Sequence, residues 1–260
     1  ALGDNEYYGQ VLKVITLLEK PEIKATILDQ ESWYEIDDIQ DLDIAESIFT
    51  KSPDDKLKRF QGRYGGYWRY PNLIDFCYLV NPFYPPQKLI NEIKANFERL
   101  ICDYPSGMKI NSLLAGKYFG INQEHIVIGN GAAELIKSFI EIQKGKCGIT
   151  LPTFEEYPNR LLKEQVVPFI PANSNYSYTT DDLMHFYSDK NIETLILINP
   201  DNPSGNFIAK ADIIRLAQWC KSKAITLLVD ESFVDFADTP EEPTLLDEDI
   251  LKSLPELIVV

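Results

Sequence analysis

LILINPDNPSGNF, residues 195–207, joins two incompatible kinds of sequence. Leu195, Ile196, Leu197 and Ile198 show no polar alternation, the pattern of a short strand buried on both faces. Pro200 and Pro203 then remove backbone donors and Gly205 permits a left-handed turn, so strand pairing has to stop near Asn199. A strand-to-helix connection would be reason enough for such a turn. A role for Asn202 needs support from elsewhere in the chain.

Outward from this stretch, short apolar runs recur at 126–128, 147–151, 165–169, 225–229 and 257–260. Between most of them lie segments with helical spacing. In QKLINEIKANFERL (87–100), Leu89, Ile90, Ile93, Phe97 and Leu100 recur every three or four residues, and AAELIKSFIEI (132–142) and AKADIIRLAQWCKSK (209–223) are further helices. Strands alternating with helices predict an α/β fold, a mainly parallel sheet with helices on both faces. Ligands of such sheets bind outside the carboxyl ends of the strands. Three polar turns fall there: GNGAAE (129–134), NPDNPSG (199–205) and DESF (230–233).

Gly129-Asn130-Gly131-Ala132-Ala133-Glu134 follows a strand and opens a helix, so free N–H groups and the helix dipole suit a phosphate. A purely structural glycine turn is the alternative. A dinucleotide fingerprint, with Glu155 or Glu156 on a ribose, lacks its third glycine, because Glu134 stands there. Asp230 places a carboxylate at the tip of a buried strand, where desolvation is costly unless a cationic or donor group meets it. A protonated pyridine nitrogen at about 3 Å would attract it by roughly 5 kcal/mol at an effective dielectric near 20. A metal bound by Asp230-Glu231 is the competing reading, but no His or further acid converges nearby in sequence.

Composition bounds the partners. With 260 residues, 45% hydrophobic and 25% charged, the chain can bury a substantial core as one large or two modest domains. A net charge of -15 argues against nucleic acid or an acidic membrane surface as partner. Cys77, Cys102, Cys147 and Cys220 form no CxxC pair, which suggests neither a zinc site nor a disulfide framework and fits a reducing cytoplasm. No apolar run reaches membrane-spanning length, and no signal-peptide pattern opens the chain. Ala1 in place of methionine suggests a processed, trimmed or engineered end.

Residues 1–50 differ in character. In SWYEIDDIQDLDIAESIF, Glu35, Asp37, Asp38, Asp41, Asp43 and Glu46 precede and decorate an amphipathic helix with Ile39, Leu42, Ile44 and Ile48 on its apolar side. Helix capping by Asp38 and a solvated acidic face explain these acids. Residues 51–72 are expected to be a linker running into an irregular Gly- and aromatic-rich segment, and regular alternation starts at Leu73.

Taken together, NPDNPSG, VDESFVDF and GNGAAELI, with YLVNPFYPP (78–86), DYPSG (103–107) and PTFEEY (152–157), resemble the fold-type-I pyridoxal-phosphate enzymes. The similarity is to the class I/II aminotransferases of the histidinol-phosphate aminotransferase and threonine-phosphate decarboxylase group, over about Asp75 to Val260. The resemblance implies that Ala132 and Ala133 give backbone N–H groups to the cofactor phosphate and that Phe154 stacks on the pyridine ring. Asn202 would hold its phenolic oxygen, Asp230 would pair with its nitrogen, and Asn81 would face the substrate. Tyr104 would reach the phosphate of a neighbouring subunit in a homodimer. Phe233 stands where family members often carry a Tyr, which removes one donor worth roughly 1 kcal/mol.

The Schiff-base lysine of that family lies just after a strand like ELIVV and is expected beyond Val260. The chain is therefore read as an inactive fragment: a nucleotidyltransferase-like remnant over 1–50, a linker over 51–72, and an incomplete aminotransferase-like domain over 73–260. The first part rests on WYEIDDIQDLDIAE, similar to the C-terminal end of sugar-phosphate and choline-phosphate-type nucleotidyltransferases, which implies that Asp37 ligates a catalytic Mg2+. The implied activity is transfer of an amino group from a small amino donor to an oxo-acid through pyridoxal phosphate. Decarboxylation of a phosphorylated amino acid is the alternative in the same fold, and nucleotidyl transfer from the N-terminal part is the alternative of another class.

Overall fold

The apolar runs at the centre of the sequence become the strands of one sheet. In a computed structural model, which describes residues 8–17, 26, 33–63, 65–70, 73–76, 81–239 and 243–260, the chain divides into two units, 1–92 and 93–260. The second unit holds β1 (Cys147–Thr150), β2 (Val166–Phe169), β3 (Thr194–Ile198), β4 (Thr226–Asp230) and β5 (Leu257–Val259). They pair in the order β2-β1-β3-β4-β5, and every pairing is parallel.

Parallel strands need crossovers, and the helices supply them. In chain order the helices are α1 (Tyr8–Thr16), α2 (Ile39–Ile48), α3 (Pro53–Gln61), α4 (Gln87–Cys102), α5 (Met108–Phe119), α6 (Ala132–Glu141), α7 (Thr180–Tyr187), α8 (Lys210–Ser222) and α9 (Glu248–Ser253). Because strand side chains alternate, each strand feeds two cores. Leu195, Leu197, Leu227 and Val229 pack with Leu183 and Tyr187 of α7 and Ile213, Leu216 and Cys220 of α8. Ile196, Ile198 and Leu228 join Cys147 and Ile149 against Ile136 and Ile140 of α6 and Tyr157. The three-layer α/β arrangement expected from the sequence is present. Burial pushes the Cys147 thiol up to about 11 and the Cys220 thiol up to about 12, so both remain protonated and inert.

Two expectations are corrected. Residues 126–128 belong to no strand among the described residues: the Ile126 carbonyl accepts from the Ser112 hydroxyl at 2.9 Å, and Val127 is exposed. An extended segment becomes a strand only with a ladder partner. Across a groove of about 1070 Å³, Ile126–Ile128 faces Leu257–Val260 instead. The supposed linker carries α3, whose start signals outweigh its polar composition: Ser52 caps it by accepting from the Asp55 N–H at 3.3 Å, and Pro53 opens its first turn.

Within the first unit, α3 and α2 are joined by Arg59–Glu46 at 2.8 Å and by the guanidinium of Arg63, whose Nε donates to Asp43 Oδ2 at 2.6 Å. The Arg63 bond holds the Asp43 carboxyl below the usual carboxylate range. Asp38 caps α2 as expected, accepting from the N–H groups of Gln40 and Asp41, while Asp41 reaches back to the Asp38 N–H. Cys77 and residues 78–80 of the YLVNPFYPP motif lie outside the described residues. Among the described residues, no helix is long and apolar enough to cross a membrane.

Candidate active site at the carboxyl edge of the sheet

Three adjacent parallel strands, β1, β3 and β4, end in the turns that carry Phe154, Asn202 and Asp230. β4 runs one residue further than expected, so Asp230 is its last residue and pairs with Ile198 of β3. The N–H of Asn199 donates to the Asp230 carbonyl at 2.9 Å.

The turn after β3 is fastened at both of its ends. Asn199 accepts from the Ile208 N–H at 2.8 Å and donates to the Ile208 carbonyl at 3.0 Å. Asn206 makes the same double bond to the backbone of Tyr178, donating to its carbonyl at 3.0 Å and accepting from its N–H at 3.4 Å. Asp201 Oδ2 accepts from the Ser204 hydroxyl and from its N–H, while Oδ1 is buried without a partner among the described residues. Burial raises the Asp201 carboxyl above its ordinary range. Amid this network Asn202 is half-buried, and its side-chain amide makes no hydrogen bond within the described residues.

Asp230 is 2% exposed. Its Oδ2 accepts from the Tyr157 hydroxyl at 2.7 Å and its Oδ1 from the Ser232 N–H at 2.9 Å. Neither donor is charged, and no Lys, Arg or His forms an ion pair with it among the described residues. A buried carboxylate supported only by neutral donors has a place left for a cationic N–H. Its neighbour Glu231 is engaged elsewhere, accepting from the Leu245 N–H at 2.8 Å and the Thr244 hydroxyl at 2.6 Å. No group of three or more acids, His or Cys able to hold a metal occurs among the described residues, so the Asp230-Glu231 metal reading finds no further ligand.

The turn at 129–134 leads into the N-terminus of α6. Gly131, at φ +86, precedes α6 without a side-chain cap, leaving the first-turn N–H groups free; a Cβ there would meet only open space. Ala132 is partly buried against the α6 core, and Ala133 is exposed. Glu134 folds back to accept from the Asn130 N–H, and a Cβ on Gly129 would come within 2.9 Å of its carboxylate. Its charge is thereby spent on its own loop.

Phe154 stands 38% exposed on the turn that follows β1. One helical turn later Tyr157 is wholly buried, its N–H donating to the Phe154 carbonyl at 3.4 Å. Phe233, in the turn after β4, is partly buried with its ring 6.2 Å from that of Phe236. Tyr104 is 98% exposed. In the first unit, Asn81 shapes a turn by accepting from the Phe83 N–H at 2.9 Å, and Asp37 is exposed, its N–H donating to Asp41 at 3.1 Å. The sheet thus places Phe154, Asn202 and Asp230 at the ends of the adjacent strands β1, β3 and β4, while Ala132 opens α6, which packs on the same sheet. Tyr157 was missed, although PTFEEY sets it three residues beyond Phe154.

A family model, aminotransferase class I and II, matches residues 90–260. The CMP-5'-(3-aminopropyl)phosphonate synthase of Streptomyces rubellomurinus is 30% identical over 209 residues, 80% of this chain and 33% of that protein. The L-serine phosphate decarboxylase of Sulfurospirillum multivorans is 29% identical, over 72% of this chain and 50% of its own length. The crystal structure of the histidinol-phosphate aminotransferase from Clostridium acetobutylicum superposes with a TM-score of 0.60 and 26% identity, covering 72% of this chain and 55% of the other. The chain spans about half or less of the relatives it matches.

Proposed function

We propose that this chain, which belongs to the class I and II aminotransferases, carries the pyridoxal-phosphate floor of an enzyme that transfers the amino group of an amino acid or phosphorylated amine. The buried Asp230 carboxylate, without a cation to balance it, is the observation that carries this reading. In this reading Asp230 accepts the proton-bearing ring nitrogen and Asn202 donates to the phenolic oxygen. The first-turn N–H groups of Ala132 and Ala133 take the phosphate, and Phe154 covers one face of the ring. The exposed Tyr104 reaches the phosphate site of a second subunit, and Asn81 faces the substrate. When bound, the cofactor acts as an electron sink for charge developing at the substrate α-carbon. A carboxylate fixed opposite a ring nitrogen supports that role because it needs no reorganisation as charge develops.

Decarboxylation of a phosphorylated amino acid is the second reading, favoured by the 29% identity to an L-serine phosphate decarboxylase. For residues 1–50 we propose a nucleotidyltransferase-like segment in which Asp37 would serve a Mg2+ ion. Its support is WYEIDDIQDLDIAE and the similarity, across 80% of this chain, to a synthase whose product name includes CMP.

The test is titration of the chain with pyridoxal phosphate, followed by absorbance and tryptophan fluorescence. Saturable binding is expected, and Asp230→Ala should abolish it; equal binding by that variant would defeat the assignment. Incubation with pyridoxal phosphate, L-serine phosphate and an oxo-acid acceptor separates the two chemistries: carbon dioxide marks a decarboxylase, whereas an aminotransferase passes the amino group to the acceptor and leaves the oxo-acid of L-serine phosphate.

A further inference from the structure

We propose that Tyr157 is a positioning residue for Asp230, holding the carboxylate so that a proton shared with a bound heteroaromatic ring stays on the ring nitrogen. The inference rests on the cofactor reading above and deepens it. Tyr157 is fully buried, and its hydroxyl meets Asp230 Oδ2 at 2.7 Å. The Ser232 N–H holds the other oxygen at 2.9 Å, so one fixed donor sits on each oxygen and the carboxylate plane is set. Burial first, and the Asp230 charge second, push the Tyr157 phenol well above its usual range, so it stays protonated and acts only as donor.

The direction of the effect follows from elementary acid–base physics. A donor on a carboxylate oxygen stabilises the charged form and lowers its appetite for a further proton. With a ring nitrogen as the other claimant, the shared proton is biased toward nitrogen. Removing the hydroxyl leaves a more basic and less constrained carboxylate, and the proton moves toward oxygen. The geometry adds a coupling: Tyr157 and Phe154 share one turn, so the residue that fastens the carboxylate also fixes the pedestal of the ring-stacking side chain.

The probe is 4-deoxypyridoxine 5'-phosphate labelled with 15N in the ring, which lacks the aldehyde and so binds without a lysine. The wild-type chain is expected to bind it with the nitrogen resonance between neutral pyridine and pyridinium, nearer the pyridinium limit. Tyr157→Phe should bind about tenfold more weakly, the scale of one charge-assisted hydrogen bond, with the resonance displaced toward neutral pyridine. Fluorotyrosine at position 157, a stronger donor of nearly the same shape, should displace it the opposite way, and it serves if the Phe variant does not fold. Unchanged affinity and resonance in Tyr157→Phe, or an unmoved resonance with fluorotyrosine, would overturn the role of Tyr157 while loss of binding in Asp230→Ala leaves the cofactor reading intact. Equal binding by Asp230→Ala, or none by the wild-type chain, would overturn both.

Discussion

Residues 147–260 and residues 93–128 belong to the same unit but treat their apolar side chains in opposite ways. In the first, Leu195–Ile198 and Leu227–Val229 are buried, each strand sandwiched between helices. In the second, Phe97, Leu100, Ile101, Leu114 and Val127 are more than half exposed, although α4 has a clear apolar stripe. An apolar run without alternation implies cover on both faces, because nothing else would make every position apolar. A helical stripe implies only that one face is apolar; what covers it is a nonlocal matter.

Hydrogen exchange should show the largest consequence of this contrast. Amides of β3 and β4 are expected to exchange through global unfolding, and those of 93–119 through local opening, with protection lower by about a thousandfold or more, roughly 4 kcal/mol. Similar protection in both regions, measured by mass spectrometry, would break the comparison. Point substitutions sharpen it. Leu228→Ala, at a fully buried position between α6 and the sheet, should cost about 3 kcal/mol in urea unfolding, whereas Phe97→Ala should change stability by no more than about 0.5 kcal/mol. Comparable losses would mean that α4 is covered in solution.

The smallest effect lies within the buried region. Burial raises the Asp201 carboxyl, so its contribution is present below the unfolded pKa and is lost as pH rises through the folded one. Above the folded pKa the buried charge is a cost. Asp201→Asn keeps an oxygen for Ser204 and removes the charge, so its melting temperature should exceed that of wild type at pH 8, with the advantage shrinking toward about pH 4. A difference independent of pH would show that the charge is already compensated.

The strand runs, the helices and the turns carrying Asn202 and Asp230 were legible because each is a local pattern: apolar residues without alternation, then residues that cannot stay in a ladder. The start of α3 was legible too, in Ser52, Pro53 and Asp55, but was outweighed by the surrounding Gly and aromatics. The partner of Asp230 was not legible. Tyr157 lies 73 residues away, and only the lateral order of β1, β3 and β4 brings the two together. The fate of 126–128 was hidden for the same reason, since a strand is defined by what lies beside it.

The pairing of Ile198 with Asp230 has a consequence for how such a protein can change. Because side chains alternate along a strand, inserting or deleting one residue within β3 or β4 exchanges the two cores and turns a carboxylate into apolar packing. Length variation is therefore confined to the loops, and new specificity has to arise there by substitution or loop growth while the strands stay constant in length. The sheet acts as a reading frame for the site.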